Sequence, residues 1–287
     1  MSIMDGTIDF AFLDSGTGGI PYMLALKEKS PRSRCVYLGD TGHFPYGQKT
    51  PEQVAECAGD SIERIMRQWN PRSLIIACNT ISVTSLAQLR KRFPQLPIVG
   101  TVPAIKLAAK VTQNGRIGLL ATNATVAHPY CKKLAADFAG GCRIFFRGDP
   151  ALISFVEHRL FTATRQERLD AVKPSADFFS EKECDTIILG CTHFTHIEKD
   201  IREVFSCSGK KTVFVVDSRD GVANHALEIL REKADGQPIS VHAASIRTAD
   251  LPPDMSFFVT KLNGESDRSE YEILCRRFRI PFGGILR

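Results

Sequence analysis

Leu74-Ile75-Ile76-Ala77-Cys78-Asn79-Thr80 and Ile187-Ile188-Leu189-Gly190-Cys191-Thr192-His193 carry one pattern twice. Each is an aliphatic run followed by a small residue, a cysteine and hydrogen-bonding side chains. A short apolar run bounded by turn-forming residues reads as a buried strand. Its repetition points to two related halves. In open α/β sheets ligands bind outside the carboxyl ends of the strands, so each half would offer one thiol to a shared cleft.

The same alternation extends outward from both copies. Further strand candidates are Ile8–Leu13, Cys35–Gly39, Ile117–Leu120, Ile144–Phe146 and Thr212–Val216, with Leu74–Ala77 and Thr186–Leu189 at the two cysteines. Amphipathic stretches lie between them. The clearest opens at Thr50-Pro51-Glu52-Gln53, with a threonine cap, proline at the first helical position and glutamine three after the cap. Val54, Ala58, Ile62, Ile65 and Trp69 then fall on one helical face. Strands alternating with helices predict an α/β protein of two parallel-sheet domains. Phe93-Pro94-Gln95-Leu96-Pro97 marks one boundary, ahead of a proline-marked helix start at Val102-Pro103-Ala104, and Ser206–Lys211 marks a second crossing. The expected division is residues 1–100 plus 212–287 as the first domain and 101–211 as the second. From Val241 onward, with Pro252-Pro253 and Pro281, periodicity is weak and no element is assigned.

Composition sets the outer limits. The 287 residues are 43% hydrophobic and 24% charged, which supports a packed core and excludes wholesale disorder. No apolar run reaches the ~18–20 residues that span a bilayer, and the opening Met1-Ser2-Ile3-Met4-Asp5-Gly6 lacks the basic and apolar regions of a secretory signal. A cytoplasmic location is expected. The formal charge of +5 is mild, and the basic clusters Arg90-Lys91-Arg92 and Arg276-Arg277-Phe278-Arg279 read as solvated faces. Neither nucleic acid nor membrane is expected as a partner. Nine cysteines, odd in number and without a C-x-x-C pair, do not read as a disulfide scaffold.

A cysteine ending a strand is ordinarily a small buried residue; two in matched contexts favour function. A free thiol titrates at about 8.5, so each needs a partner to act near neutrality. Asp14, ending the first strand, and His193, two residues after Cys191, are the candidates. Asp14-Ser15-Gly16-Thr17-Gly18-Gly19 is a glycine-rich strand-to-helix turn whose N–H groups suit an anion such as a carboxylate. It matches neither the P-loop nor the G-x-G-x-x-G pattern. Phe44-Pro45-Tyr46-Gly47 reads either as a turn or as a loop lining the cleft. Cys191-x-His193 and His193-x-x-His196 have zinc-like spacing, but no second cluster completes a four-ligand site, and no metal is expected. His43, His128 and His225 read as structural.

Taken in order, these segments resemble the glutamate racemases of the aspartate/glutamate racemase superfamily. The resemblance rests on Phe12 through Gly19, Asp40 through Gly47, Ala77-Cys78-Asn79-Thr80, Gly100-Thr101-Val102-Pro103-Ala104 and Leu189 through His193, with looser matches at Phe155-Val156-Glu157 and Asp217-Ser218. It implies two α/β domains related by pseudo-twofold symmetry with the active site between them, no cofactor, and a homodimer. Cys78 and Cys191 would be the two acid/base residues, assisted by Asp14 and His193, with Cys78 taking the proton of D-glutamate and Cys191 that of L-glutamate. Asp14, Ser15, Pro45, Tyr46, Gly47, Asn79, Thr80, Thr192 and His193 would hold the substrate, and Glu157 would support the histidine. The chain departs from the family pattern at Ile20-Pro21, Ile81 and Thr195-His196-Ile197.

The chemistry agrees with the resemblance. Racemisation removes the α-proton from one face of an amino acid and returns one to the other, which suits two opposed bases in a water-poor cleft. No flavin, dinucleotide or pyridoxal signature stands out. Three other readings remain at this stage: a superfamily racemase acting on aspartate or a hydantoin, a glutamate-binding protein without turnover, and a zinc hydrolase.

Overall fold

The computed structural model describes residues 7–207, 213–235 and 254–287. The chain starts with β1 (Phe10–Asp14), α1 (Ile20–Lys29), β2 (Cys35–Gly39), α2 (Pro51–Trp69), β3 (Ser73–Ile76), α3 (Asn79–Arg92) and β4 (Ile98–Gly100). It continues with α4 (Ile105–Val111), β5 (Arg116–Ala121), α5 (Asn123–Ala127), α6 (Pro129–Phe138), β6 (Arg143–Gly148), α7 (Pro150–His158), α8 (Arg165–Glu181) and β7 (Thr186–Leu189). Last come α9 (Glu198–Cys207), β8 (Phe214–Val216), α10 (Arg219–Asp235), β9 (Met255–Val259), α11 (Glu265–Phe278) and β10 (Phe282–Ile285).

These strands form two parallel sheets, ordered β10-β9-β2-β1-β3-β4 and β6-β5-β7-β8. Within each, the first strand of the half lies between the second and the third, and the fourth follows at the edge. The second half thus repeats the 2-1-3-4 order of the first. Parallel strands buried on both faces need apolar residues on both. In β1, Phe10 and Phe12 enter one core while Ala11 and Leu13 enter the opposite one. In β7, Ile187 and Leu189 face one core and Ile188 the other. α2 starts as its sequence predicts, with a capping box in which Thr50 accepts from Gln53 N–H and the Gln53 side chain accepts from Thr50 N–H. Its face of Val54, Ala58, Ile62, Ile65 and Trp69 is buried.

β4 follows Phe93–Pro97 and pairs with β3, so that proline-marked stretch lies inside the first half and Ile98–Gly100 belong to its sheet. The return expected at residue 212 comes later: β8 pairs with β7, so residues 214–216 belong to the second sheet. Residues 208–212, which include Thr212 and most of the expected Ser206–Lys211 crossing, lie outside the described residues. α10 makes the return, setting Val222, Ala223 and Ala226 against Ile20, Met23 and Leu26 of α1. The unread tail, beyond the undescribed 236–253, adds β9 beside β2 and β10 beside β9. Among the described residues no helix is long and apolar enough to cross a membrane.

Candidate active site

Cys78 leaves β3 and caps the N-terminus of α3; Cys191 leaves β7 and caps the 3-10 turn Thr192–Ile197. Their backbones match closely, with φ, ψ of −137°, 116° and −132°, 135°. Both are strand-end residues at the point where their sheet order reverses, the crevice position of open α/β folds. They line one cavity of about 370 Å³ between the halves. Its wall also carries Asp14, Ser15, Pro45, Tyr46, Gly47, Asn79, Thr80, Glu157, Thr192 and His193, so every expected site residue gathers there.

Asp14 is fully buried at the end of β1. Its Oδ1 accepts from Ser15 N–H at 2.5 Å and its Oδ2 from the Thr192 hydroxyl at 2.8 Å, joining the two halves. Burial raises its pKa above the usual carboxylate range, against the lowering influence of His193 and of these hydrogen bonds. The Cys78 thiol is likewise pushed well up by burial and then by the Asp14 charge. The N–H groups of Ile81 and Ser15 oppose this, and they are where a thiolate would find its donors.

On the other side, Nδ1 of His193 lies 3.7 Å from Cys191 Sγ, and its Nε2–H donates to Glu157 Oε2 at 2.9 Å. Burial alone would strip the imidazole of its proton. Hydrogen bonds to Cys191 and Glu157 and the Glu157 charge overcome this and raise its pKa well above normal. Glu157 is held below its usual value in spite of burial, by His193 and by the N–H and hydroxyl of Thr17, which donate at 2.8 and 2.7 Å. The sequence expected the glycine-rich turn to receive a carboxylate. It does, but the carboxylate is the chain's own Glu157. A Cβ at Gly16 would sit 2.5 Å from Glu157 Oε2, and one at Gly18 would sit 2.5 Å from His193 Nδ1. Glycine permits this close approach.

Tyr46 forms part of the cavity wall while its hydroxyl is engaged within the chain. Its ring is buried and its hydroxyl donates to Asp40, which also faces Nδ1 of His43 at 3.0 Å. Asp40 thereby fixes the Phe44–Gly47 loop. Asn79 is the reverse case: both polar atoms of its amide are buried without a partner among the described residues. An amide left so is costly unless a ligand or water completes it. His196 is turned away from the thiols. Its Nε2–H donates to the Thr17 carbonyl at 3.1 Å, and burial lowers its pKa to about 4. Among the described residues no group of three or more His, Cys, Asp or Glu side chains forms a metal cluster. His128 caps α6, accepting from Tyr130 N–H.

Sequence reasoning missed Thr122, Ser154, His158, Asn263 and Tyr271 on the cavity wall. Thr122 had a signal: it follows the carboxyl end of β5 and caps α5, at the same end of its sheet as Asp14 on β1. Its hydroxyl meets that of Thr80 at 3.0 Å, a further bond between the halves. Asn263 and Tyr271 come from the tail whose pattern gave no element.

Two α/β halves of one topology, each presenting a strand-end cysteine to a shared cleft, give the architecture seen in amino-acid racemases. Residues 23–226 match the Asp/Glu/hydantoin racemase family. The chain belongs to that family. It is 37% identical over 220 residues to the glutamate racemase of Treponema pallidum, covering 77% of this chain and 80% of that one. It is also 37% identical over 211 residues to the Proteus mirabilis glutamate racemase, covering 73% and 72%. Among solved structures, Escherichia coli glutamate racemase in complex with L-glutamate and the activator UDP-MurNAc-Ala superposes with a TM-score of 0.79. It is 26% identical, over 97% of this chain and 98% of that one.

Proposed function

We propose that the chain interconverts L- and D-glutamate by moving the α-proton between Cys78 and Cys191. One observation carries the reading: equivalent strand ends of two sheets with the same order place one thiol each on a single buried cavity. Named glutamate racemases that align over most of the chain support the substrate.

In this mechanism one cysteine acts as a thiolate and takes the α-proton. The electron pair left on the α-carbon delocalises into the carboxylate, and the opposite thiol gives its own proton to the other face. The product leaves with the two cysteines in exchanged protonation states. Asp14, held by the Thr192 hydroxyl, bears on Cys78; His193, held by Glu157, is placed to exchange a proton with Cys191. The unpartnered Asn79 amide and the first N–H groups of α3 supply donors for a substrate carboxylate. The residues propose direct proton transfer without a cofactor. The enzyme would act as a cytoplasmic homodimer that supplies D-glutamate to peptidoglycan, as befits its bacterial relatives.

The test is α-proton exchange in deuterated water, followed by NMR on each enantiomer separately. Cys78→Ala and Cys191→Ala should each abolish racemisation, with Cys78→Ala retaining slow exchange of the L form only and Cys191→Ala of the D form only. Interconversion at near wild-type rate by either variant would make that cysteine structural and end the two-base reading. Preference for aspartate or a hydantoin in the same assay would move the substrate and keep the chemistry.

A further inference from the structure

Glu157 lies in the last turn of α7, where the helix dipole disfavours an anion. Its Oε2 is well supplied, accepting from the Thr17 N–H, the Thr17 hydroxyl and His193. Oε1 has one donor among the described residues, the hydroxyl of Tyr271 at 3.2 Å. Tyr271 is 2% exposed, lines the catalytic cavity and comes from α11, beyond the family match that ends at residue 226. Its ring is fixed against Phe257, with centroids 5.6 Å apart, and against Phe282 at 6.3 Å.

The rest of α11 reinforces this placement. Asp267 faces His158 at 3.7 Å, Glu270 accepts from the Thr162 hydroxyl at 2.6 Å, and Phe278 meets the Phe161 ring edge-on at 6.2 Å. Positions 267, 270, 271, 274 and 278 repeat at helical spacing, so one face of α11 grips the end of α7 and the loop after it. A helix of the first half thus straps the segment of the second half that carries Glu157.

We propose that Tyr271 is a positioning residue for the Cys191 side of the site: its hydroxyl fixes the rotation of the Glu157 carboxylate, which in turn holds the His193 proton for exchange with Cys191. The inference rests on the glutamate racemase reading. Without the hydroxyl, Oε1 is buried and unpaired, a costly state that the carboxylate relieves by turning into the cavity and away from Nε2. The charged groups that act on the pair are Asp14 from β1 and Cys191 beside His193, with His196 behind Thr17; Asp267 and Glu270 of α11 face Tyr271, and Arg277 faces His196. Each is unchanged when only the hydroxyl is removed.

Tyr271→Phe keeps the ring and its packing, so the fold should survive. The His193 imidazole, followed by NMR titration in full-length protein, should lose its proton about half a unit or more lower than in wild type. Turnover should fall about threefold to tenfold, in kcat rather than KM. In a Glu157→Gln background the same substitution should shift neither quantity further, because the effect travels through that carboxylate. Thr162→Val, which loosens the strap without touching Glu157, should leave the titration where it was. An unmoved His193 titration in Tyr271→Phe overturns the inference whatever the activity, as does an undiminished effect in the Glu157→Gln background. If the wild type moves no glutamate α-proton, the racemase reading fails, and the titration still decides the role of Tyr271.

Discussion

Asp14 and His193 face the same cavity from opposite halves, and both hold their protons more tightly than usual, for different reasons. Asp14 is raised by burial, whereas His193 is raised by the thiol and carboxylate on either side of it. L- and D-glutamate are mirror images of equal free energy, so every variant must keep kcat/KM equal in the two directions. Distinct roles can therefore appear only as different splits between kcat and KM. His193→Asn and Asp14→Asn should each reduce turnover on the order of a hundredfold, as expected for a lost proton-transfer partner. They should differ in which enantiomer has the lower kcat, as measured by circular dichroism from each side. Equal kcat losses from both sides, or changes confined to KM, would remove the assigned partnership with one thiol each. Neither role could be read from residue type alone: histidine two after cysteine is a spacing, and the 3.7 Å approach is a fact of the folded turn.

Elements show where local rules suffice and where they do not. Thr50, Pro51 and Gln53 dictate the start of α2 by themselves, since the capping box needs only residues three apart. The turn from β1 into α1 is different. Its glycines look like a free anion cradle in the sequence, yet in the fold they are pressed against the other half. A Cβ at Gly18 would stand 2.6 Å from the His193 backbone nitrogen and 2.8 Å from Thr192 Oγ1. Backbone cannot step aside as a flexible side chain can. Gly18→Ala should therefore cost about 1–3 kcal/mol in urea unfolding and lower kcat at least tenfold by displacing His193. Thr50→Ala is the matched control, losing about 1 kcal/mol through its cap with kcat unchanged. A Gly18→Ala enzyme with wild-type kcat would show that the turn does not bear on the histidine.

At the scale of the molecule, the two halves are joined at the site by polar contacts: Asp14 to Thr192, Thr17 to Glu157, Thr80 to Thr122 and Tyr271 to Glu157. The buried His193–Glu157 pair gives the joint a pH signature. Glu157, lowered in the fold, contributes stability above its ordinary value near 4.5 and loses it as pH falls through the lowered value. His193, raised in the fold, contributes fully below its ordinary 6.5 and loses it as pH rises through the raised value. The stability lost in Glu157→Gln should thus be greatest between those ordinary values and shrink at both extremes. Asp14 and His196, whose proton affinity the Glu157 charge also raises, add their own smaller contributions to the difference. Urea midpoints of the two proteins from mildly acid to mildly alkaline pH measure it. A deficit that does not vary with pH would mean the pair is not ionised in the folded state.

The resemblance to the racemases supplied most of the expected cavity residues; the sequence by itself determined the alternation of strands and helices and the repeat of strand, cysteine and polar turn. Those features depend on periodicity and on side chains a few positions apart, which the fold does not alter. Tertiary structure decided what required distant chain to arrive. β8 stays with the second sheet because its edge pairs with β7, and three valines and phenylalanines in a row carry no label for which sheet they join. β9, α11 and β10 form against an existing sheet and core, so their own pattern is weak and Tyr271 was invisible. Tyr46 stands on the cavity wall, and that Asp40 takes its hydroxyl could not be read from the Pro-Tyr-Gly sequence. The glycine turn looked empty until Glu157, 140 residues away, filled it. A hydrogen-bond donor is visible in a sequence; its acceptor, when it comes from the other half of the molecule, is fixed only when the halves close.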